Sequence, residues 1–119
     1  MTDEEKKAIA SEYLHSLDTG NDFFHLFAED AEVFFPRSGV VKGREQYKKL
    51  FSDLGAKVER FKHHHDRIKW VIQGDFVVAE GSSEGRLRTG ERWTDSKWCD
   101  VFEIRGGKIQ RLYLYLDPE

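Results

Sequence analysis

The sequence has a single cysteine, no surplus of basic residues and no long apolar run. Cys99 alone excludes an internal disulfide or a zinc site built from several cysteines, and it favours a reducing compartment such as the cytoplasm. Nineteen Lys and Arg face 22 Asp and Glu, a formal net charge of −3 with no basic stripe, so no nucleic-acid partner is expected. No apolar run approaches the ~20 residues of a membrane span, and the polar residues 2–7 are not typical of a signal peptide, so no membrane partner is expected.

Aromatic residues, in contrast, are abundant. Three Trp, four Tyr and nine Phe in 119 residues exclude a disordered chain. The length fits one domain, which we expect to cover residues 1–119. These observations predict a small, soluble, intracellular domain with more aromatic surface than its size requires.

Three helices are predicted in the first half of the chain. The first covers residues 2–20, where Thr2 and Glu5 form a capping box in which each side chain satisfies the other's free backbone N–H. A short second helix is predicted over 21–27. The third covers 43–55, where apolar side chains recur at the i, i+3, i+4 and i+7 spacing of a helix that is buried on one face.

The rest of the chain alternates with the period of two that is typical of strands. Strands are predicted over residues 31–35, 58–72, 76–83, 93–105 and 108–117. Most helices come first and an antiparallel meander follows, so the fold class is α+β, with three N-terminal helices packed on one face of a curved, mainly antiparallel sheet.

One carboxylate interrupts the apolar face of the predicted strand over residues 93–105. Trp98, Asp100, Phe102 and Ile104 share that face. Burial among hydrophobic side chains would raise the pKa of Asp100 and leave a carboxylic acid that can donate a hydrogen bond near neutral pH. The alternative is a structural aspartate that caps a turn or pairs with an arginine.

A second carboxylate, Glu80, lies in the most apolar stretch of the chain. Alternation places it with Phe76, Val78 and Ser82, on a face expected to cover the same core. An isolated buried glutamate is costly. Glu80 is therefore either part of a functional site or at an edge position open to water.

The last predicted strand separates apolar from aromatic polar residues. Leu112, Leu114 and Leu116 form a core face, whereas Tyr113 and Tyr115 point outward. Tyrosine is common at protein interfaces, so these two residues indicate a protein–protein contact. The alternative is a sheet face that is merely half exposed.

Three consecutive histidines suggest a metal site, but strand geometry argues against one. Neighbouring side chains on a strand point to opposite faces, so only His63 and His65 share a face, and a third ligand would have to come from elsewhere. No metal is therefore expected. On the other face, His64 and Asp66 form a candidate acid–base pair. The alternative is a group of histidines on a solvated strand end.

Four segments of the sequence resemble the SnoaL-like branch of the NTF2-like superfamily, which includes ketosteroid isomerase, scytalone dehydratase and polyketide cyclases. They are residues 12–20, 26–33, 43–45 and 100–109, so the resemblance extends over nearly the whole chain. It implies a cone in which three N-terminal helices close a strongly bent sheet around a deep apolar pocket. It also implies frequent dimers through the outer sheet face, here with Tyr113 and Tyr115. One such scaffold carries many chemistries and some non-enzymes.

The resemblance also implies roles for individual residues. Ketosteroid isomerase, a worked example of pKa tuning, combines a tyrosine and a protonated aspartate as oxyanion donors with an aspartate base. By motif position, Tyr13 and Asp100 match the two donors. Phe35 occupies the base position, which excludes standard ketosteroid isomerase activity because phenylalanine cannot abstract a proton. The expected pocket lining is Phe35, Phe51, Trp70, Trp98, Phe102 and Leu114.

Two functions follow. In the first, Glu80 or the His64–Asp66 pair replaces the missing base, and an isomerisation, dehydration or aldol-type cyclisation of a small apolar carbonyl compound proceeds through an enolate-like intermediate without a cofactor. In the second, the chain is a non-catalytic dimeric module that binds a hydrophobic ligand or another protein, as Phe35 would favour. The discriminating geometry is convergence of Tyr13, Asp100 and either Glu80 or His64. If Glu80 and His64 both point outward, the enzyme interpretation is to be abandoned.

Overall fold

The computed structural model describes residues 1–117, which form two α-helices and one seven-stranded sheet. The helices are α1 (Asp3–Thr19) and α2 (Arg44–Gly55). The strands are β1 (Phe27–Phe35), β2 (Gly39–Lys42), β3 (Val58–His63), β4 (Lys69–Gln73), β5 (Phe76–Leu87), β6 (Arg92–Arg105) and β7 (Lys108–Leu116). Their order in the sheet is β2-β1-β7-β6-β5-β3. β3 pairs with residues 83–87 of the long strand β5, and β4 pairs with residues 76–80 of the same strand. Only the β1–β7 pair is parallel.

The ends of α1 are those that the sequence predicts. Thr2 accepts a hydrogen bond from the backbone N–H of Glu5 at 3.1 Å, and the Glu5 carboxylate accepts from the N–H of Thr2 at 2.7 Å. Gly20 ends the helix with a left-handed φ of 76°. The helix packs across the concave side of the sheet and buries Ala10, Tyr13 and other apolar residues.

The prediction of three helices is wrong, because the segment over 21–27 forms only one 3-10 turn, Phe24–Leu26. The carboxylate of Asp22 caps this turn by accepting from the N–H of Phe24 at 3.0 Å. The chain cannot continue as a helix, because Phe27 already pairs with Ile109 of β7. The aromatic residues of this segment therefore pack as part of the core instead of along a helix face.

The predicted strand over 58–72 is also wrong, since β3 ends at His63 and β4 begins at Lys69. A 3-10 turn, His65–Arg67, separates them. β3 and β4 pair with opposite halves of β5, so the chain has to turn at this point. The sequence predicts that residues 63–66 lie on alternating faces of one strand. That prediction is wrong, because the strand ends at His63 and a turn begins at His65.

The two faces of β5 are the reverse of those expected. Val77 and Ala79 are fully buried, whereas Phe76 is 42% exposed and Glu80 is exposed. The expectation that Glu80 covers the core is therefore wrong. A similar correction applies at the end of β7, where Leu112 and Leu114 are buried but Leu116 is 37% exposed.

The centre of the sheet agrees with the pattern of the sequence. Trp98, Asp100, Phe102 and Ile104 of β6 are at most 3% exposed and face α1. Register shifts between paired strands, as between Ser83 and Gly85, are the β-bulges that bend such a sheet. The result is an α+β fold in which a curved sheet holds its core on the concave side. Within residues 1–117, no helix has the length and apolar content needed to cross a membrane.

Candidate functional site

The carboxyl group of Asp100 lies at the centre of the concave face. Asp100 pairs with Ala79 on β5 and Leu114 on β7, and no part of it is exposed. Both carboxyl oxygens lack a hydrogen-bond partner among the described residues. Removal from water raises the pKa of this carboxyl well above its ordinary value of 3.8. Burial therefore favours the protonated form of Asp100, whose O–H can be donated.

Tyr13 of α1 covers the same part of the core. Its ring makes edge contacts with Phe23, Phe27, Phe51 and Phe102, with centroids 5.2 to 6.1 Å apart. Burial, and secondly the nearby charge that an ionised Asp100 would carry, raise the pKa of Tyr13 well above 10. Its hydroxyl therefore also keeps its proton at neutral pH.

Trp98 adds a third polar group on this face, two residues from Asp100 along β6. Its indole Nε1–H is buried without a partner among the described residues. The ring has room because the cross-strand neighbour is Gly81, where a Cβ atom would lie 2.9 Å from Cζ2 of the indole. Two neutral hydroxyl groups and one N–H are thus held in an otherwise apolar environment.

The residues expected to line a pocket are all on or near the core. Trp98, Phe102 and Leu114 are buried, and Phe35, Phe51 and Trp70 are half buried and pack against the core. Two clefts, of about 880 and 650 Å³, lie at the start of α2, around Gly43, and on the sheet around Ser82, and Trp98 of the expected lining borders the second. Neither of them reaches Tyr13 or Asp100, so the apolar pocket stays a prediction.

Glu80 and His64 do not join Tyr13 and Asp100. Glu80 is exposed and pairs with Lys69 and Cys99 across the outer face. Because Gly81 faces Trp98, the next residue, Ser82, faces outward, and its hydroxyl lies 2.7 Å from Nδ1 of His64.

The remaining contacts of His64 are on the same outer side. Its Nε2 lies 3.2 Å from the Glu84 carboxylate, whereas its expected partner Asp66 is exposed in the 3-10 turn. Glu80 and His64 both point outward, so the enzyme interpretation that rested on them is abandoned, and any reaction would need a base that is not predicted from the sequence. Phe35, at the usual base position, has no titratable atom.

A different cluster, which sequence reasoning missed, lies on the inner side. Asp18 of α1 lies 2.7 Å from Nδ1 of His63 through one carboxylate oxygen and 2.5 Å from Nε2 of His65 through the other. The ring of His65 stacks on that of His15, with centroids 3.7 Å apart. His63 also contacts Trp98, with ring centroids 5.0 Å apart. The cluster thus borders the Asp100 side of the core.

The charge state of Asp18 follows from these neighbours. Burial by itself raises its pKa, but the hydrogen bonds and charge of His63 and the hydrogen bond of His65 outweigh burial, so the pKa lies below its ordinary value. The sequence carried one signal of this cluster: His15 and Asp18 are three residues apart and share a face of α1.

Comparison with known proteins fits this geometry. The model of the SnoaL-like domain family matches residues 10–112. The chain belongs to the SnoaL-like domain family. No curated protein matches the sequence.

Solved structures resemble this SnoaL-like domain closely in fold. A candidate polyketide cyclase of Xanthomonas campestris pv. campestris is 17% identical, with 96% of this chain and 91% of that chain covered and a TM-score of 0.86. An NTF2-like protein of Anabaena variabilis ATCC 29413 is 21% identical, with 100% and 96% covered and a TM-score of 0.84. TerC, co-crystallised with polyporic acid, is 15% identical, with 95% and 92% covered and a TM-score of 0.79. At these identities the likeness shows the NTF2-like fold.

Replacing Asp100 by asparagine should change how the stability of this SnoaL-like domain depends on pH. A raised pKa means that the folded state keeps a proton that the unfolded chain loses above about pH 4. The free energy of unfolding should therefore fall by up to about 1.4 kcal/mol per pH unit as the pH rises from about 4 toward the folded-state pKa. Asp100→Asn should lack this contribution.

Urea unfolding of both proteins, followed between pH 4 and pH 8, measures the difference. The two proteins share all other titratable groups, so subtracting one curve from the other isolates Asp100. Parallel curves over the whole range would show that Asp100 has the same pKa in the folded and unfolded states.

Proposed function

We propose that this SnoaL-like domain binds a small carbonyl compound beside Asp100 and Tyr13 and stabilises its enolate-like form. Isomerisation, dehydration and aldol-type cyclisation all pass through such an anion. The observation that carries the proposal is that both carboxyl oxygens of Asp100 are fully buried without a partner in residues 1–117. A polar group in this state is costly to the fold, so a ligand that pairs with it is strongly favoured.

The donors suit an oxygen atom that gains negative charge. Neutral Asp100 and Tyr13 each offer one O–H, and Trp98 offers one N–H from the same side of the sheet. Because the surroundings are apolar, each hydrogen bond to a developing charge is stronger than it would be in water. A well-aimed donor of this kind contributes roughly 3–4 kcal/mol to stabilising the anion.

The names of similar proteins favour a small organic ligand. The Xanthomonas protein is a candidate polyketide cyclase, and TerC was crystallised with polyporic acid. The proposal assigns Asp100 and Tyr13 to stabilisation of the anion and not to removal of the proton, since Phe35, Glu80 and His64 offer no base on the concave side.

The absence of Glu80 and His64 from the concave side, together with phenylalanine at position 35, favours a second candidate, a non-catalytic domain that binds the same kind of ligand. The two candidates differ in one measurable property. An enzyme would accelerate exchange of the acidic C–H of a bound ketone for deuterium, whereas a binding module would leave that exchange at its rate in buffer.

A substituted phenol, which mimics an enolate, should bind to the wild type and bind more weakly to Tyr13→Phe and Asp100→Asn. Each substitution removes or weakens one donor to the oxygen, so each should reduce the affinity by about tenfold to a hundredfold. Calorimetric titration measures the affinity, and circular dichroism checks that each variant is folded.

Glu80→Gln is the matched control, because it changes a carboxyl on the neighbouring strand that faces outward. Its affinity should equal that of the wild type. Equal affinities in the wild type, Tyr13→Phe and Asp100→Asn would contradict the proposal that the phenol binds at Asp100 and Tyr13.

We further propose that the outer sheet face forms a homodimer interface. An apolar row crosses it from Val71 through Val78 and Val101 to Tyr113. Val71 is 63% exposed and Tyr115 is 48% exposed. Tyr113 is less available than the sequence suggests, because its hydroxyl donates to the carboxylate of Glu32 at 2.5 Å and the guanidinium of Arg111 lies 3.6 Å from its ring centroid.

Val71→Glu and Tyr115→Glu should each convert the dimer into monomers, because a charge on this face cannot be buried without a partner. Sedimentation velocity measures the state of each variant. Ala8→Glu, which places the same charge at an exposed position of α1 on the other side of the sheet, should leave the dimer intact. A wild-type protein that sediments as a monomer, or a dimer that survives both substitutions, would contradict this interface.

A further inference from the structure

Four side chains of the inner cluster come from two short stretches of sequence. His15 and Asp18 lie one turn apart on α1, whereas His63 ends β3 and His65 begins the 3-10 turn that follows. One ligand atom each from Asp18, His63 and His65 lies within 4.8 Å of the other two. His63 and His65 would share a face of a strand as well, and the 3-10 turn that begins at His65 places its ring against that of His15 on α1.

We propose that Asp18, His63 and His65 bind a divalent transition-metal ion, with His15 adjacent as a candidate fourth ligand. This inference concerns residues other than Asp100 and Tyr13, so it does not depend on the function proposed for those two.

The donor set is the first argument for a metal. Two imidazole nitrogens and one carboxylate are ligands that zinc and other first-row divalent ions prefer. Around a tetrahedral zinc with bonds of about 2.0–2.2 Å, ligand atoms lie roughly 3.3–3.6 Å apart. The nitrogens of His63 and His65 now lie 2.7 and 2.5 Å from oxygens of Asp18, so small side-chain movements would open the cluster around an ion.

The protonation states required are accessible. A metal-bound imidazole is neutral and carries its proton on the nitrogen that does not bind the ion. For His63 that nitrogen is Nε2, and for His65 it is Nδ1. Each ring therefore has to give up the proton that it donates to Asp18, and the hydrogen bond to Asp18 is replaced by a bond to the ion.

The surroundings hold the carboxylate in place. The backbone N–H of His63 donates to both oxygens of Asp18, at 3.1 and 3.2 Å, and the ring of His65 is held flat against that of His15. Such outer contacts orient metal ligands. The side chains of His63 and Asp18 are 3% and 12% exposed and that of His65 is 24% exposed, so an ion has a route from solvent on one side.

An oriented acid–base pair is the competing interpretation of the cluster. Such a pair needs one carboxylate and one imidazole. Here His65 contacts the carboxylate oxygen of Asp18 that His63 leaves free, and the ring of His15 stacks on that of His65. The adjacent His64 points to the opposite side of the sheet. The convergence of several imidazoles on one carboxylate favours the metal.

Titration of the metal-free protein with Zn²⁺ by calorimetry, and with Co²⁺ by visible absorption, tests the proposal. The wild type should bind one equivalent of each ion, give the d–d absorption of protein-bound cobalt and unfold at a higher temperature when zinc is present. His65→Gln and Asp18→Asn should lose affinity by at least about tenfold. His64→Gln is the matched control, since it removes the neighbouring imidazole of the same tripeptide, and it should bind like the wild type.

His65→Gln also guards against loss of folding, because it leaves the contact between Asp18 and His63 in place. A wild type that binds neither ion at one equivalent would overturn the proposal, and the cluster would then be an acid–base pair. Equal affinities in the wild type, His65→Gln and Asp18→Asn would overturn it as well, since the bound ion would then lie elsewhere. Binding of phenols at Asp100 is a separate measurement, so failure of one proposal is distinguishable from failure of the other.

Discussion

The carboxyl group of Asp100, fully buried in the middle of the sheet, is the constraint on which the rest of the concave side depends. An ionised carboxylate in this place would be very costly, so the group has to stay protonated. Burial likewise raises the pKa of the neighbouring Tyr13 and keeps its hydroxyl protonated. Together with the unpaired Nε1–H of Trp98, these groups leave hydrogen-bonding capacity that the described residues do not use. Unused capacity of this kind, inside an apolar shell, is typical of a ligand site.

The two sides of the sheet divide the chemistry. The inner side carries Asp100 and Trp98 on β6, and α1 supplies Tyr13 and Asp18 from above. The outer side carries Glu80 and His64, with an apolar row between exposed charges. Since neighbouring residues of a strand face opposite ways, one segment such as residues 98–100 contributes to both. Single substitutions in β5 and β6 therefore affect one side selectively.

Much of the fold is predictable from local sequence signals. The capping box of α1 and the regular alternation of β6 each act within a few residues, and both are confirmed. The helix predicted over residues 21–27 is wrong, because pairing of Phe27 with β7 overrides the helical tendency of that segment. That residues 1–119 form one domain and that the protein is cytoplasmic both stay predictions.

The site is less predictable than the fold, for a physical reason. Burial of Asp100 follows from alternation along one strand. The faces of Glu80 and of the three histidines depend instead on where β3 ends and how β5 is shared between two partners, which are long-range properties of the sheet. Asp18 meets His63 across 45 residues of sequence, and a pattern read along the chain has no means of joining them.

The central claim is that Asp100 is a neutral acid in the folded protein at physiological pH. Carbon-13 NMR of the aspartate side-chain carboxyls measures this directly, with the Asp100 signal assigned by its loss in Asp100→Asn. The account predicts that this carbon keeps the chemical shift of a protonated carboxyl at pH 7 and does not titrate near 3.8, the ordinary value for aspartate. A carboxyl carbon of Asp100 that titrates near that ordinary value would contradict the account.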